Sequence, residues 1–185
     1  MSSQNNTPSR VMHDVGLAAW FGGTLANAVA LNNAASKPGD PREAGRVANA
    51  GWDRWTPVNA AAIGLHLVGA VGQLLGNRDR LSSQPGVRSM SVAKTIVTAA
   101  ALGVTAYSRV LGKKVSEHQD VPVRGGTTPS SQTPPDVADA QRQLHALQWV
   151  IPSLTGTLVG ISSFAGEQQR PPNRATQLVD RTFRR

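Results

Sequence analysis

The stretch Val15-Gly16-Leu17-Ala18-Ala19-Trp20-Phe21-Gly22-Gly23-Thr24-Leu25-Ala26-Asn27-Ala28-Val29-Ala30-Leu31-Asn32-Asn33-Ala34-Ala35 carries no acidic or basic side chain. Its length matches the roughly 20 residues that a helix needs to cross the hydrocarbon core of a bilayer. A soluble helix keeps charges on its outer face, and this segment has none on any face. It therefore predicts a membrane helix of moderate hydropathy, with polar interruptions that include Thr24 and Asn27.

Working outward, the same pattern recurs at residues 55–77, 95–108 and 146–166. Four uncharged runs predict an all-α, four-helix transmembrane bundle, with helices at about 14–36, 56–77, 91–112 and 135–166. The third run is short, and spans only if Lys94 and Arg109 extend their charged heads to opposite interfaces. Trp52 and Trp55 precede the second run and Trp149 opens the fourth, where an aromatic belt is expected.

Composition agrees. The chain has 185 residues, room for one structural unit, with 39% hydrophobic and 16% charged residues. Mean hydropathy is only −0.24, because uncharged runs alternate with polar connections. The absence of cysteine excludes disulfide scaffolds, thiol catalysis, cysteine-ligated zinc and iron–sulfur clusters.

The first connection contains Asp40-Pro41-Arg42-Glu43, in which an N-cap carboxylate, a proline at the first helical position and an acidic first turn make a helix start. This predicts a short amphipathic helix over 41–52, with Thr56-Pro57 starting the second membrane helix anew or after a kink. Residues 77–91, with Arg78, Arg80, Arg88 and Pro85-Gly86, read as a short basic turn. Residues 121–135, rich in glycine, proline, serine and threonine, read as a flexible loop. Pro152 is expected to kink the fourth helix. A disordered N-terminus is expected over 1–12, the membrane domain over 13–167, and a basic disordered tail over 168–185.

A net charge of +8 raises the question of nucleic acid, but the basic residues are scattered over all connections and no nucleic-acid motif accompanies them. The cations of the tail, Arg170, Arg174, Arg181, Arg184 and Arg185, suit anionic lipid headgroups. A membrane-protein partner or a homo-oligomer fits the same surface. Lysines and arginines divide about 10 to about 9 between the two sides, and the basic second connection and tail favour cytoplasmic termini.

Small residues recur at helical spacing, Gly16 and Gly23 on the first helix and Gly156 and Gly160 on the fourth, and Gly69 shares a face with His66 and Gln73. Such ridges allow membrane helices to approach closely. His13, Trp20 and Asn27 fall on nearly one face, and polar groups such as Asn27, His66 and Gln73 must find partners inside the bundle. Phosphate loops, dinucleotide fingerprints, nucleophile elbows and His-Glu-x-x-His are all absent, and no carboxylate lies inside an uncharged run. These absences point to a non-catalytic structural or interaction component and argue against an ion-coupled transporter.

His13, six intervening residues, then Trp20-Phe21-Gly22-Gly23 resembles the first-helix signature of copper-resistance D type membrane families. Val47-Ala48-Asn49-Ala50-Gly51-Trp52 and Leu147-Gln148-Trp149-Val150-Ile151-Pro152 resemble a small actinobacterial four-helix membrane family of unassigned activity. The first resemblance implies copper or haem handling, with His13 carried over by the motif. His66 would be its partner, and Asn27 or Gln73 would fix the ring tautomers. Counting rises along antiparallel helices separates His13 and His66 by roughly 15 Å, too far to share one metal ion but within reach of a haem with another axial partner, or of two separate sites. The order of expectation is no cofactor, then haem, then copper, since the chain has no cysteine and only 3 methionines.

Overall fold

The computed structural model describes residues 6–168, apart from 38 and 119. The fold is an all-α bundle of four long helices, each long and apolar enough to cross a membrane. The first span, Thr7–Ala34, is built from α1 (Thr7–Ala26), a π-helical turn (Asn27–Leu31) and a final turn, α2 (Asn32–Ala34). The others are α3 (Pro41–Gly76), α5 (Pro85–Ser116) and α6 (Pro135–Gln168). A short α4 (Arg78–Ser83) lies between α3 and α5. Two short strands, β1 (Val123–Gly125) and β2 (Thr128–Pro129), form an antiparallel hairpin between α5 and α6.

α1 packs against α3 and α6, and α5 packs against α6. The central core consists of Leu17 and Trp20 from α1, Ala62 from α3, Ala101 from α5 and Leu158 from α6. A second core of Leu111, Val115, Val137, Ala140 and Leu144 joins the C-terminal part of α5 to the N-terminal part of α6. Outward-facing positions are apolar: Val68, Val71 and Leu75 on α3, Ile96 and Val110 on α5 and Phe164 on α6 are each more than half exposed. Leaving such surface on water is costly, whereas in contact with lipid it is the ordinary outer face of a span.

At 1.5 Å per residue the 36 residues of α3 extend roughly 50 Å, well beyond a hydrocarbon core of about 30 Å. The surplus lies on the hairpin side. There α3 carries Arg42, Glu43, Arg46, Asp53 and Arg54, and ion pairs tie the helices together: Arg109 to Asp53 at 3.7 Å and Lys114 to Asp136 at 3.4 Å.

Several expectations are corrected. The helix predicted over 41–52 is not separate: the Asp40 carboxylate caps it by accepting from the Arg42 backbone N–H at 2.9 Å, but it continues through Pro57 to Gly76. Pro57 removes only one helical hydrogen bond, and the Thr56 hydroxyl donates to the Trp52 carbonyl at 2.8 Å one turn earlier, so the helix is not interrupted. The first helix begins at Thr7, so residues 7–12 are helical rather than disordered. The second connection is not a plain turn, since α4 and the start of α5 occupy it. The loop expected over 121–135 holds the hairpin, whose Val123, Gly125, Gly126 and Thr127 are buried. Its order comes from polar contacts: the Gln141 side-chain amide donates to the Gly125 carbonyl at 3.2 Å, and the Thr133 hydroxyl donates to the Pro122 carbonyl at 2.6 Å. The arginine-rich tail over 169–185 lies outside the described residues.

Candidate functional site

The helical phase of α1 turns His13, Gly16, Leu17, Trp20 and Thr24 inward, and that of α3 turns Ala62, His66 and Gly69 to meet them. The contact is reciprocal. A side chain on Gly16 would run into the backbone of Ala62 and His66, and one on Gly69 into the backbone of Ser9 and His13. Each glycine thus admits the neighbouring helix at the level of the opposite histidine. The imidazoles of His13 and His66 consequently stand 4.3 Å apart, centroid to centroid, tilted by 45°. This corrects the separation of roughly 15 Å derived from helix rises. The reason is axial register: α3 starts at Pro41 rather than near residue 56, and α1, which starts six residues before His13, lies along α3 where the two glycines interlock.

Both rings are almost fully buried, at 2% and 1% exposure. His13 Nδ1 contacts the Asp14 carboxylate at 2.7 Å, and His66 Nδ1 contacts the His13 carbonyl oxygen at 3.2 Å. A ring nitrogen facing a carbonyl oxygen must be the N–H tautomer there, so the neutral His66 ring directs a bare Nε2 away from that bond. His66 Nε2 has no hydrogen-bond partner among the described residues. Trp20, wholly buried, packs edge-on against His66 at 6.1 Å, and its indole N–H is also unpartnered there.

Asn27 and Gln73 do not fix the ring tautomers, a role taken by Asp14 and the His13 carbonyl. Asn27 is buried in the π turn and Gln73 lines a cavity beside His66, and neither side-chain nitrogen has a partner among the described residues. The remaining packing glycines differ. A side chain on Gly23 would collide with the Trp55 ring, and a Cβ on Gly156 would lie 3.1 Å from Phe21. Gly160 has nothing within 4 Å, which corrects its reading as a packing glycine, and Gly126, expected to be exposed in the third connection, is buried in its turn against Asn32 and Ala48.

Axial imidazoles on opposite faces of one haem stand on the order of 6 Å apart, centroid to centroid, given metal–nitrogen bonds of about 2 Å. The two rings touch more closely than that, so a bis-histidine haem does not fit between them. Among the described residues, no three His, Cys, Asp or Glu side chains are grouped to hold a metal ion.

α3 and α5 face each other across two cavities. The one beside the histidines has a volume of about 710 Å³ and includes His13, His66, Gln73 and Lys94 in its walls. The other, about 280 Å³, lies toward the hairpin among Trp52, Trp55, Asn59, Thr105 and Ser108. Lys94 is half-buried and shares the wall of the histidine cavity, a placement that depends on the pairing of α3 with α5 through α4.

A polar cluster on the hairpin side escaped the sequence reading altogether. The Asn32 amide donates to the Gln148 side-chain oxygen at 2.7 Å, Trp52 Nε1 donates to Asn32 Oδ1 at 3.2 Å, and Gln148 Nε2 lies 3.3 Å from His145 Nδ1. One residue thus joins the first, second and fourth spans. Asn32→Ala would strip partners from both Trp52 and Gln148. The expected cost is about 1–3 kcal/mol in equilibrium unfolding in detergent, and a change within error would show that the cluster contributes nothing. His118, by contrast, is exposed, with its Nδ1 3.0 Å from the Lys114 carbonyl oxygen.

Comparison with protein-family models, curated proteins and solved structures finds no match to this chain.

Proposed function

We propose that the chain is an integral, multi-pass protein of the cell membrane that works as a structural or interaction component, with both termini cytoplasmic. The observation that carries this reading is the outer surface. Across four helices the exposed faces present valine, leucine, isoleucine and phenylalanine where a soluble bundle needs charge, while ion pairs and the hairpin gather beyond one end. The tryptophans fit the same frame: Trp55 to Gly76 on α3 spans about 30 Å, one hydrocarbon thickness, and Trp149 opens the corresponding part of α6. Four spans put both termini on one side, and the arginines of the second connection and the tail favour the cytoplasm for it. Anionic lipid headgroups, a membrane-protein partner or a second copy are the partners that suit this surface. The likeness of residues 47–52 and 147–152 to a small actinobacterial membrane family belongs to the same proposal.

Carbonate washing of membranes from expressing cells should leave the protein in the pellet, and release into the supernatant would end the membrane reading. Reporter fusions after Arg185 and between Thr127 and Thr128 should report opposite sides, with the C-terminal reporter active in the cytoplasm. The reverse pattern overturns the orientation while leaving the spans intact.

A further inference from the structure

We propose that the cleft between α3 and α5 beside His66 is the seat of one anionic phospholipid drawn from the leaflet on the α4 side. The proposal rests on the membrane reading above and specifies a ligand for it.

The cleft, about 710 Å³, falls within the range of about 300–1,000 Å³ typical of ligand sites, and lies between two spans rather than inside the packed core. Its walls are graded. Leu67, Ala99 and Leu102, level with or beyond Lys94 along the helices, give it an apolar body suited to acyl chain, while Arg80, from α4, lines it at the end where α3 stops and α5 starts. Lys94 is set deeper, nine residues into α5, and so roughly 13 Å along the helix from its start.

The charge on these walls is of one sign. Lys94 and Arg80 line the cleft together with two histidines, and no aspartate or glutamate does. Neither cation forms an ion pair among the described residues. Asp14, the carboxylate that acts on Lys94 at longer range, is already shared between Arg10 at 3.8 Å and His13 at 2.7 Å. A lysine on a membrane span without a counter-ion is costly, and basic pockets between spans are where phosphate headgroups are taken up. His66, 99% buried with its acceptor Nε2 unpartnered among the described residues, adds a polar group on the same wall that a headgroup hydroxyl or a water can satisfy by donating to it.

The second cavity makes a natural contrast. There Arg109 already has Asp53 at 3.7 Å, so its charge is answered within the protein.

The test is titration of the full-length protein in dodecyl maltoside with phosphatidylglycerol and with phosphatidylcholine, read by native mass spectrometry, beside a carbonate wash of the same membranes. Wild-type protein should retain one phosphatidylglycerol in clear preference to phosphatidylcholine. Lys94→Gln should weaken phosphatidylglycerol binding about tenfold, the loss expected for one charge-assisted contact, while Arg109→Gln leaves it unchanged. Ala70→Phe, which keeps every charge but fills the cleft, should abolish the bound lipid, and so tests the site even where Lys94→Gln does not fold. Equal affinity for the two lipids in the wild type, or a correctly melting Lys94→Gln or Ala70→Phe variant that binds as the wild type does, overturns the site. A protein that resists carbonate yet shows no preference loses only this site; one released by carbonate loses the membrane reading as well.

Discussion

Gly69→Ala is expected to destabilise the protein by about 3 kcal/mol or more, the upper end of overpacking penalties. The added methyl would meet the backbone of Ser9 and His13 rather than the flexible end of a side chain, so relief requires α1 and α3 to separate along their length. Gly16→Ala should behave alike, because its methyl meets the backbone of Ala62 and His66 from the other helix. In lipid, where apolar burial does not drive helices together, close backbone approach is a principal source of association, and its loss is not offset elsewhere. Gly160→Ala is the control. Its added methyl has open space, and its thermal melting in detergent should match the wild type. Parallel melting of the Gly16, Gly69 and Gly160 variants would refute this interlocking of the helices.

Trp20→Ala is the second large effect. The indole is completely buried, touches the core that unites all four spans and covers the edge of His66. In water, such truncations cost about 3–5 kcal/mol. Within a bilayer the transfer contribution shrinks and the cavity contribution remains, which puts the expected cost nearer 3 kcal/mol. Equilibrium unfolding in mixed detergent measures it, with His118→Ala, at an exposed position, expected to be silent. If the two variants unfold at the same denaturant concentration, Trp20 is not part of the structural centre.

The four spans were legible because membrane solvation writes itself as missing charge, a signal that survives even in a run with as many polar interruptions as residues 55–77. The inward faces of α1 and α3 were legible too, since glycines beside histidines at helical spacing mark where two helices come together. What the sequence withheld was axial register. Nothing in the order of residues states that Gly16 sits opposite His66 and Gly69 opposite His13, so the histidines were placed apart when they are in contact. Pro57 misled for a related reason: proline signals a helix start locally, yet inside a span the alternative to helix is unpaired backbone in lipid, and the helix continues. The hairpin was hidden by its composition. Its order is supplied by Gln141 from another helix, which no local reading of residues 121–135 includes.

The π turn at Asn27–Leu31 has an evolutionary consequence. A widened turn of this kind holds one more residue than the α-helix around it, as a helix does after a single-codon insertion absorbed without breaking. On one side of it, α1 keeps the phase that carries Gly16 and Trp20 to α3. On the other, Asn32 is rotated by the equivalent of one residue, about 100°, onto Trp52 and Gln148. The first span is therefore two phases spliced at a joint. One phase is set by α3 at the histidine pair and the other by Trp52 and Gln148 beside the hairpin.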